Sequence, residues 1–510
     1  MRLMKTMKLL HLEEPSLRFG LGQSVDDPRD GLTLFGPLDS GETTAIKVGA
    51  VGTPEGIERF ERWLERLQMP INSAEDPAEL NFRPIFPGFQ AVFKVPLGPK
   101  LHARVEIPTS DLTAALSIHS HHERVYSAVT LYQAAIEEFR RDEERSNVDI
   151  WFIVVPPEVK RLCSPKSIAP PRSQSSLPSL SLKQARRYIA APSLFIEINQ
   201  ATVPYEYKPD FHEQIKSRLL TIGTPIQLIQ ESTLAPRDFL NPFGMPKYSI
   251  DRPSTVAWNL STAAYYKASG RPWKLEGIRE GVCYLGIVFK RDPTESDKRN
   301  ACCAAQLFLD SGDGVVFKGN VGPWYSEADR QFHLSPDAAS EIVTKAIESY
   351  KAKSNGAPPF ELFIHGKMDI SQPEWEGFLA GASDETRVTF VKIRPSGTKV
   401  FGAGKFPLPR GTAAEIHARS GLLWTVGYVP RLQTFTGKEV PSPLQVDIVR
   451  GEGEIVQVLK DILALTKLNY NACLFGDGWP VTLRFADSVA EILTAGPRAG
   501  EPPLPFKFYI

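Results

Sequence analysis

The sequence predicts an α/β protein, and three observations lead to this class. Short apolar runs that are typical of buried strands alternate with longer segments of helical periodicity, beginning at residues 46–52 and 57–67. Near Gly277 the pattern changes to several strands in succession before helices return. At 510 residues the chain is long enough for about two to four domains. We therefore expect a Rossmann-like first part and a strand-rich second part that begins at residue 277.

The charge and cysteine content narrow the functional class. Lysine plus arginine equals aspartate plus glutamate, at 59 each, so a nucleic-acid site has to be a local groove rather than a general basic field. Five cysteines without a C-x-x-C motif favour a reducing compartment over a disulfide framework or a structural zinc site. No apolar run reaches about eighteen residues, and the first ten residues lack the apolar core of a signal peptide. A cytoplasmic protein is expected.

The first part reads as a series of strands and amphipathic helices. The predicted elements are a strand at 46–52, a helix at 57–67 capped by Thr53, a helix at 125–141, a strand at 150–156 and a strand at 194–198. Residues 163–184 are rich in serine and proline. We interpret them as a flexible loop within the same domain, because the α/β pattern continues beyond them.

Two alternative sites in this part are weaker interpretations. The glycines between 49 and 56 suggest a dinucleotide-binding turn, but their spacing is not G-x-G-x-x-G, and no acidic residue ends a second strand about twenty residues on. A tight strand-to-helix turn is preferred. His119, His121 and His122 form the densest histidine cluster, yet neighbouring positions point in different directions and no H-E-x-x-H motif follows. A polar helix entry is preferred to a metal site.

The second part predicts a strand-rich opening followed by alternating strands and helices. The predicted strands are 281–290, 304–310, 314–320, 361–367, 386–394 and 443–450, and the predicted helices are 336–350, 455–468 and 482–495. Ser335 ahead of Pro336 is a typical helix start. This order suits a ribonuclease-H-like fold.

Four polar residues between the two parts form a candidate anion site. His212 and Lys216 lie four residues apart on one face of a predicted helix that Gly223 ends, and Gln227 lies on the strand that follows. Lys267 lies near the end of a second helix. Two ammonium groups, an amide and an imidazole suit a terminal phosphate with a base to stack on. The alternative is an amphipathic helix with ordinary surface lysines.

The order of these four residues resembles the MID domain of Argonaute proteins. There a Tyr/His-x-x-x-Lys helix, a later glutamine and a lysine ahead of a Pro-Trp turn hold the 5′ phosphate of a guide strand. Here the turn is SGRPW, directly after Lys267 and Ala268. The resemblance covers residues 204–510 and implies a MID domain at 44–276 followed by a PIWI domain, with a ribonuclease-H-like fold, at 277–510. A segment at 1–43 is expected to pack on the PIWI domain.

The resemblance also implies a test for nuclease activity. Active PIWI domains hold two divalent ions on acidic residues. The matching positions here are Val288, Lys367 and Asp487, and valine and lysine do not ligate Mg²⁺. The expectation is therefore a binding protein without a catalytic site. A nuclease that uses the displaced aspartates Asp310, Asp313 and Asp369 is the alternative, although turn aspartates are usually structural. A stand-alone nucleotide-binding regulator is a third, weaker hypothesis, because it leaves the PIWI-like half unexplained.

Partners and a cofactor follow from the same resemblance. It implies a small 5′-phosphorylated guide, expected to be RNA, and a complementary target, expected to be single-stranded DNA. The chain has no room for the PAZ domain of longer Argonautes, which implies an APAZ-containing effector protein with a sirtuin-like or TIR domain. The apolar C-terminus ends at Ile510, whose carboxylate is expected to share Mg²⁺ with the guide phosphate.

Overall fold

The computed structural model describes most of the chain. The described residues are 9–39, 45–72, 81–98, 100–141, 147–167, 180–248, 251–277, 279–291, 301–308, 314–318, 324–326, 331–401, 404, 406–435, 437, 439–497 and 505–510. No helix within these ranges is long and apolar enough to cross a membrane.

The elements of the first part alternate between strands and helices. In chain order they are β1 (Leu9–His11), β2 (Leu17–Arg18), β3 (Ser24–Val25), α1 (Pro28–Phe35), β4 (Val48–Gly52), α2 (Pro54–Arg66), α3 (Phe89–Phe93), β5 (Ala103–Glu106), α4 (Thr109–Leu116), α5 (His121–Arg140), β6 (Ile150–Val155), α6 (Pro157–Cys163), α7 (Leu182–Ala190), α8 (Ile196–Thr202), α9 (Phe211–Leu219), β7 (Ile226–Gln230), α10 (Glu231–Leu234) and α11 (Pro253–Lys267).

The elements of the second part begin with strands. After β8 (Lys274–Leu275), which ends the first part, they are β9 (Val282–Arg291), β10 (Ala301–Phe308), β11 (Gly314–Lys318), β12 (Trp324–Ser326), β13 (Gln331–His333), α12 (Pro336–Lys353), β14 (Glu361–Gly366), α13 (Gln372–Gly381), β15 (Arg387–Pro395), β16 (Thr412–His417), β17 (Ser420–Leu423), β18 (Leu444–Arg450), α14 (Ile455–Leu465), α15 (Val481–Arg484) and α16 (Ala486–Leu493). A 3₁₀ turn at Phe506–Phe508 precedes the C-terminus.

A four-stranded parallel sheet with the order β5-β4-β6-β7 organises the first part. Every residue of β6, whose sequence is IWFIVV, is buried, because helices cover both faces of a parallel sheet. Gly52 ends β4 where a Cβ would lie 2.8 Å from the carbonyl oxygen of Val154, so close strand packing explains this glycine without a cofactor. The strands place their carboxyl ends at one edge, which is where open α/β sheets bind ligands.

A nine-stranded mixed sheet organises the second part, with the order β1-β16-β17-β18-β15-β14-β9-β10-β11. The central strands β9, β14 and β15 are parallel, and antiparallel strands extend the sheet on both sides. The strand β1 forms one edge, with Leu10 opposite Ala413. The N-terminal segment therefore completes the sheet of the second part, and β2 joins β8 in a small separate sheet.

One predicted strand is a helix in the structure, and other strands of the structure were not predicted. The run 194–198 was expected to be a strand but begins α8 instead. Short apolar runs do not distinguish strand from helix, and here the side chain of Asn199 makes two hydrogen bonds of 2.8 Å to the backbone of Ser193, which fixes a helix start. The sequence predicts no element at the strands β16 and β17. The expected helix at 482–495 is divided at Phe485, whose ring packs against Phe506.

Two local expectations are confirmed. Thr53 caps α2 by accepting a hydrogen bond from the backbone N–H of Gly56 at 3.1 Å. His121 and His122 open α5, and the hydroxyl of Ser120 caps this helix. Burial lowers the pKa of His122 to about 4, because the ring lies stacked on Tyr205. This pair of histidines is therefore part of a packed helix entry.

Candidate nucleic-acid interface

The helix α9 carries two of the predicted site residues toward the carboxyl edge of the parallel sheet. The carboxylate of Asp210 caps it by accepting from the N–H of Glu213 at 2.9 Å. Its apolar face is buried against the sheet through Phe211, Ile215 and Leu219. His212 and Lys216, one turn apart, then line a cavity of about 470 Å³.

The strand β7 and the helix α11 supply the next two residues. Gln227, the second residue of β7, lines the same cavity. Lys267, in the last turn of α11, is 1% exposed, and its ammonium donates to the side-chain oxygen of Gln227 at 2.6 Å and to the carbonyl of Ile226 at 3.0 Å. These two bonds hold the ammonium behind the wall of the cavity and leave one of its three donors available.

The C-terminus closes the cavity from the side of the second part. Ile510 lines it and is 4% exposed, because Phe506 and Tyr509 dock into the core on either side of the 3₁₀ turn. The ammonium of Lys216 donates to the carbonyl of Tyr509 at 3.3 Å. The last peptide unit of the chain is thus held against the lysine of α9.

Burial lowers the pKa values of three basic side chains at the cavity. Burial lowers the pKa of Lys216 to about 8, and burial together with the charge of Lys216 lowers the pKa of Lys267 well below its ordinary value of 10.5. Burial, Lys216 and Lys267 lower the pKa of His212 to about 3. Among the described residues, no carboxylate lies within 4.0 Å of either ammonium. The charged forms of these two buried lysines therefore lack an ion pair within 4.0 Å, which is costly unless a ligand supplies an anion.

The structure brings all five predicted residues together. His212, Lys216, Gln227 and Ile510 line the cavity, and Lys267 reaches it through its bond to Gln227. The sequence did not identify six polar residues that also line the cavity: Lys160, Ser164, Asp210, Gln230, Thr233 and Asn471. Three of them follow the carboxyl ends of β6 and β7, a position that the strand order makes predictable. Asn471 comes from a loop of the second part, and no local pattern marks it.

Comparisons with known proteins identify the fold. No protein-family model and no curated protein matches the chain. Among solved structures, an Argonaute of Clostridium butyricum bound to a guide DNA and a 19-mer target DNA matches with a TM-score of 0.61, 14% identity, and coverage of 96% of this chain and 53% of that one. The fold is that of Argonaute proteins. The predicted α/β class, with a Rossmann-like MID fold followed by a ribonuclease-H-like PIWI fold, is confirmed.

Two further solved structures match the same fold. An A. aeolicus Argonaute matches with a TM-score of 0.51, 15% identity, and coverage of 98% of this chain and 54% of that one. A structure of Aa-Ago with externally bound siRNA matches with a TM-score of 0.52, 15% identity, and coverage of 98% and 56%. The chain spans about half the length of these Argonautes.

In the PIWI fold, the three positions expected to hold catalytic carboxylates line one cavity of about 180 Å³. Val288 lies on β9 and is 4% exposed. Lys367 follows β14, and its ammonium lies 2.7 Å from the carboxylate of Asp487 at the start of α16. A lysine–aspartate ion pair thus occupies the place where the sequence pattern puts metal ligands.

The displaced acidic set of the alternative hypothesis is only partly described. Asp310 and Asp313 lie outside the described residues. Asp369 lines the same cavity as Asp487 and accepts a hydrogen bond from Lys392 at 2.7 Å. Among the described residues, no group of three or more histidine, cysteine, aspartate and glutamate side chains is placed to hold a metal ion.

Proposed function

We propose that this chain is a guide-loaded Argonaute of the short prokaryotic type, which holds a 5′-phosphorylated guide, recognises a complementary target without cutting it, and activates a bound effector protein. The guide is RNA and the target is single-stranded DNA. The MID domain at 44–276 holds the guide end, the PIWI domain at 277–510 carries the duplex, and residues 1–43 pack on PIWI. The setting is the cytoplasm of a prokaryote, where the complex acts in defence against plasmids or phage.

The observation that carries this proposal is the unpaired positive charge at the carboxyl edge of the MID sheet. Lys216 is 7% exposed and lines a cavity large enough for a terminal nucleotide. Lys267 is 1% exposed and reaches this cavity through its hydrogen bond to Gln227. A phosphate supplies the missing anion and accepts several charge-assisted hydrogen bonds at once. Base pairing between guide and target then reads the sequence, so the protein has to recognise only a backbone and one end.

Each residue of the pocket has a distinct role in this proposal. Lys216 and the free donor of Lys267 contact the phosphate, and the amide of Gln227 adds a neutral donor. His212, whose pKa of about 3 keeps its ring uncharged at neutral pH, stacks on the first base. The neutral ring suits stacking, because a third positive charge beside two ammonium groups would be repelled.

The terminal carboxylate of Ile510 gives the site a further ligand chemistry. A carboxylate beside a phosphate repels it unless a cation lies between them, and oxygen donors suit Mg²⁺. Ile510 and the guide phosphate would hold this ion, and its positive charge would offset the repulsion between the two anions. The burial of the terminus agrees with such a role, since free termini are usually exposed.

A short extension at the C-terminus should therefore weaken guide loading. The added residues would displace the carboxylate of Ile510 from the cavity and remove one oxygen ligand, so the dependence of loading on Mg²⁺ should fall as well. Guide affinity is measured with and without Mg²⁺ for the extended chain and for a chain with the same extension at its N-terminus. Equal loading by the two chains would exclude this role of the carboxylate.

The PIWI cavity supports a binding protein rather than a nuclease. Two-metal hydrolysis needs several carboxylates around the ions, and Val288 and Lys367 cannot supply them. The runner-up, a guide-dependent nuclease with a displaced acidic set, needs Asp310, Asp313 and Asp369. Cleavage of a target by the purified chain would favour that alternative.

A protein that binds a target and leaves it intact needs a partner protein that converts target binding into a response. We propose an APAZ-containing effector with a sirtuin-like or TIR domain as this partner. Pairing along the guide would shift the interface and bias the effector toward its active state.

Reconstitution from purified components should show NAD depletion only when chain, effector, guide and complementary target are all present. The target should keep its full length, and a target with a scrambled sequence is the control. Target cleavage by the chain alone would contradict the proposal, as would NAD loss without guide or target.

The experiment that tests the proposed function directly is recovery of the chain from its native cells. The bound nucleic acid is sequenced, its 5′ ends are analysed, and the bound proteins are identified. We expect short strands with 5′ phosphates and one effector protein in stable association. Recovery of the chain without nucleic acid would refute the proposal.

A further inference from the structure

The ion pair between Lys367 and Asp487 lies at the mouth of the PIWI cavity. The ammonium and the carboxylate oxygen are 2.7 Å apart, and the two side chains are 36% and 54% exposed. The ammonium also lies 5.4 Å from the centre of the Trp479 ring, a cation–π distance. The rest of the wall is largely apolar, with Ile370 and Phe378 among its residues. Asp369, which accepts a hydrogen bond from Lys392, and the buried Glu374 also line the cavity. The Lys367–Asp487 pair is exposed, so a strand of nucleic acid has access to it.

A contribution to the stability of the fold does not account for this ion pair. Exposed ion pairs contribute little to the stability of a fold, because water and salt screen them. The same exposure lets the ammonium keep its contact with Asp487 while its remaining donors face solvent. A lysine ammonium has three donors, so it can bridge two anions at once.

A carboxylate on this rim is unfavourable for a bound duplex. A phosphodiester that approaches Asp487 meets a like charge unless a cation lies between the two groups. Elsewhere in enzymes a divalent ion takes this position, but it needs more than one protein carboxylate to be retained without substrate. Lys367 is a cation that the chain itself supplies and cannot lose by dilution.

We propose that Lys367 is a tethered counter-ion for the target strand, whose ammonium bridges the carboxylate of Asp487 and a target phosphodiester. This inference rests on the proposed guide-binding function, and it assigns a phosphate-binding role to the PIWI cavity. Target retention at this site then needs no divalent ion. The lysine replaces the charge of the metal without its chemistry, so binding persists and hydrolysis does not occur.

The test uses guide-loaded chain and measures target affinity for Lys367→Ala, Asp487→Asn and the double variant. Lys367→Ala should weaken target binding about tenfold and lower the salt dependence by about one phosphate contact. Asp487→Asn should leave affinity unchanged or improve it, because a repelling charge is removed. The double variant should bind better than Lys367→Ala for the same reason. Lys345→Ala is the matched control, since Lys345 forms an equally exposed pair with Glu341 on α12.

Magnesium separates the tethered counter-ion from a simple contact. Adding Mg²⁺ should rescue target binding by Lys367→Ala, because one ion can bridge Asp487 and the phosphate. The rescue should disappear in the double variant, and the same titration of the wild-type chain measures any effect at the guide end. Target affinity that is unchanged in Lys367→Ala, or a loss equal to that of Asp487→Asn, would overturn the inference. Guide loading is measured in parallel, and a wild-type chain that fails to load guide would refute the proposed function itself.

Discussion

Replacing Lys216 with methionine is expected to stabilise the ligand-free chain at neutral pH. Methionine keeps the length of the apolar stem but removes a buried charge whose pKa falls from 10.5 to about 8 on folding. A shift of that size corresponds to about 3 kcal/mol, from which about 1 kcal/mol is subtracted for the hydrogen bond to the carbonyl of Tyr509. A residue that weakens the fold and is aimed into a cavity is a signature of ligand binding.

The pH dependence of this difference has a defined sign. Between pH 8 and 10.5 the unfolded chain keeps the proton on Lys216 and the folded chain releases it, so the wild-type protein gains stability as pH rises through this window. The advantage of the variant should therefore be full below pH 8 and absent above 10.5. Thermal unfolding midpoints at pH 7 and 10.5 measure it, with Lys351→Met on the surface of α12 as the control. A variant less stable than the wild type at pH 7 would contradict this origin of the shift.

The affinity for a 5′-phosphorylated guide is expected to fall steeply above pH 8. Above that pH the ligand-free pocket has lost the proton of Lys216, and binding a phosphate requires its return, which lowers the affinity by up to about tenfold per pH unit for each proton taken up. Lys267, whose pKa is also lowered by burial and by Lys216, adds to the slope. Below about pH 6 the phosphate dianion takes up a proton and becomes a monoanion, so binding weakens again.

The other ionisable groups of the pocket leave this profile intact. The ring of His212 stays uncharged across the range, since its pKa is about 3. Asp210 has a raised pKa because it is buried, and its carboxylate is engaged at the start of α9. Guide affinity measured from pH 6 to 10 should show the decline for a 5′-phosphorylated strand and a flat profile for a 5′-hydroxyl strand. Identical profiles for the two strands would exclude a phosphate contact by the buried lysines.

The candidate residues of the MID fold could be grouped from the sequence because their positions follow local rules. His212 and Lys216 share a helix face by their spacing, and Gly223, in the left-handed region at φ 68°, ends the turn that follows that helix where expected. Lys267 lies in the last turn of a helix that ends before Gly270. The bond from Lys267 to Gln227 is a tertiary contact between α11 and β7, so its geometry could not be derived from spacing.

Other features depend on long-range contacts and could not be predicted from sequence patterns. Asn471 reaches the pocket from a loop of the PIWI fold. The contact of Lys367 with Asp487 joins residues 120 positions apart, and the sequence identified both only as lost or retained metal ligands. The run 194–198 carried a strand signal, and a side chain of the following turn, Asn199, decided for a helix.

The measurement that bears most directly on the proposed function is a guide titration of Lys216→Ala against the wild-type chain, with 5′-phosphorylated and 5′-hydroxyl strands of one sequence. Loss of a charge-assisted contact in a desolvated site costs about 2–5 kcal/mol. We expect affinity for the phosphorylated strand to fall at least about tenfold, with a far smaller change for the hydroxyl strand and none in the control Lys351→Ala. Equal losses for the two strands would contradict the assignment of this pocket to the guide 5′ phosphate.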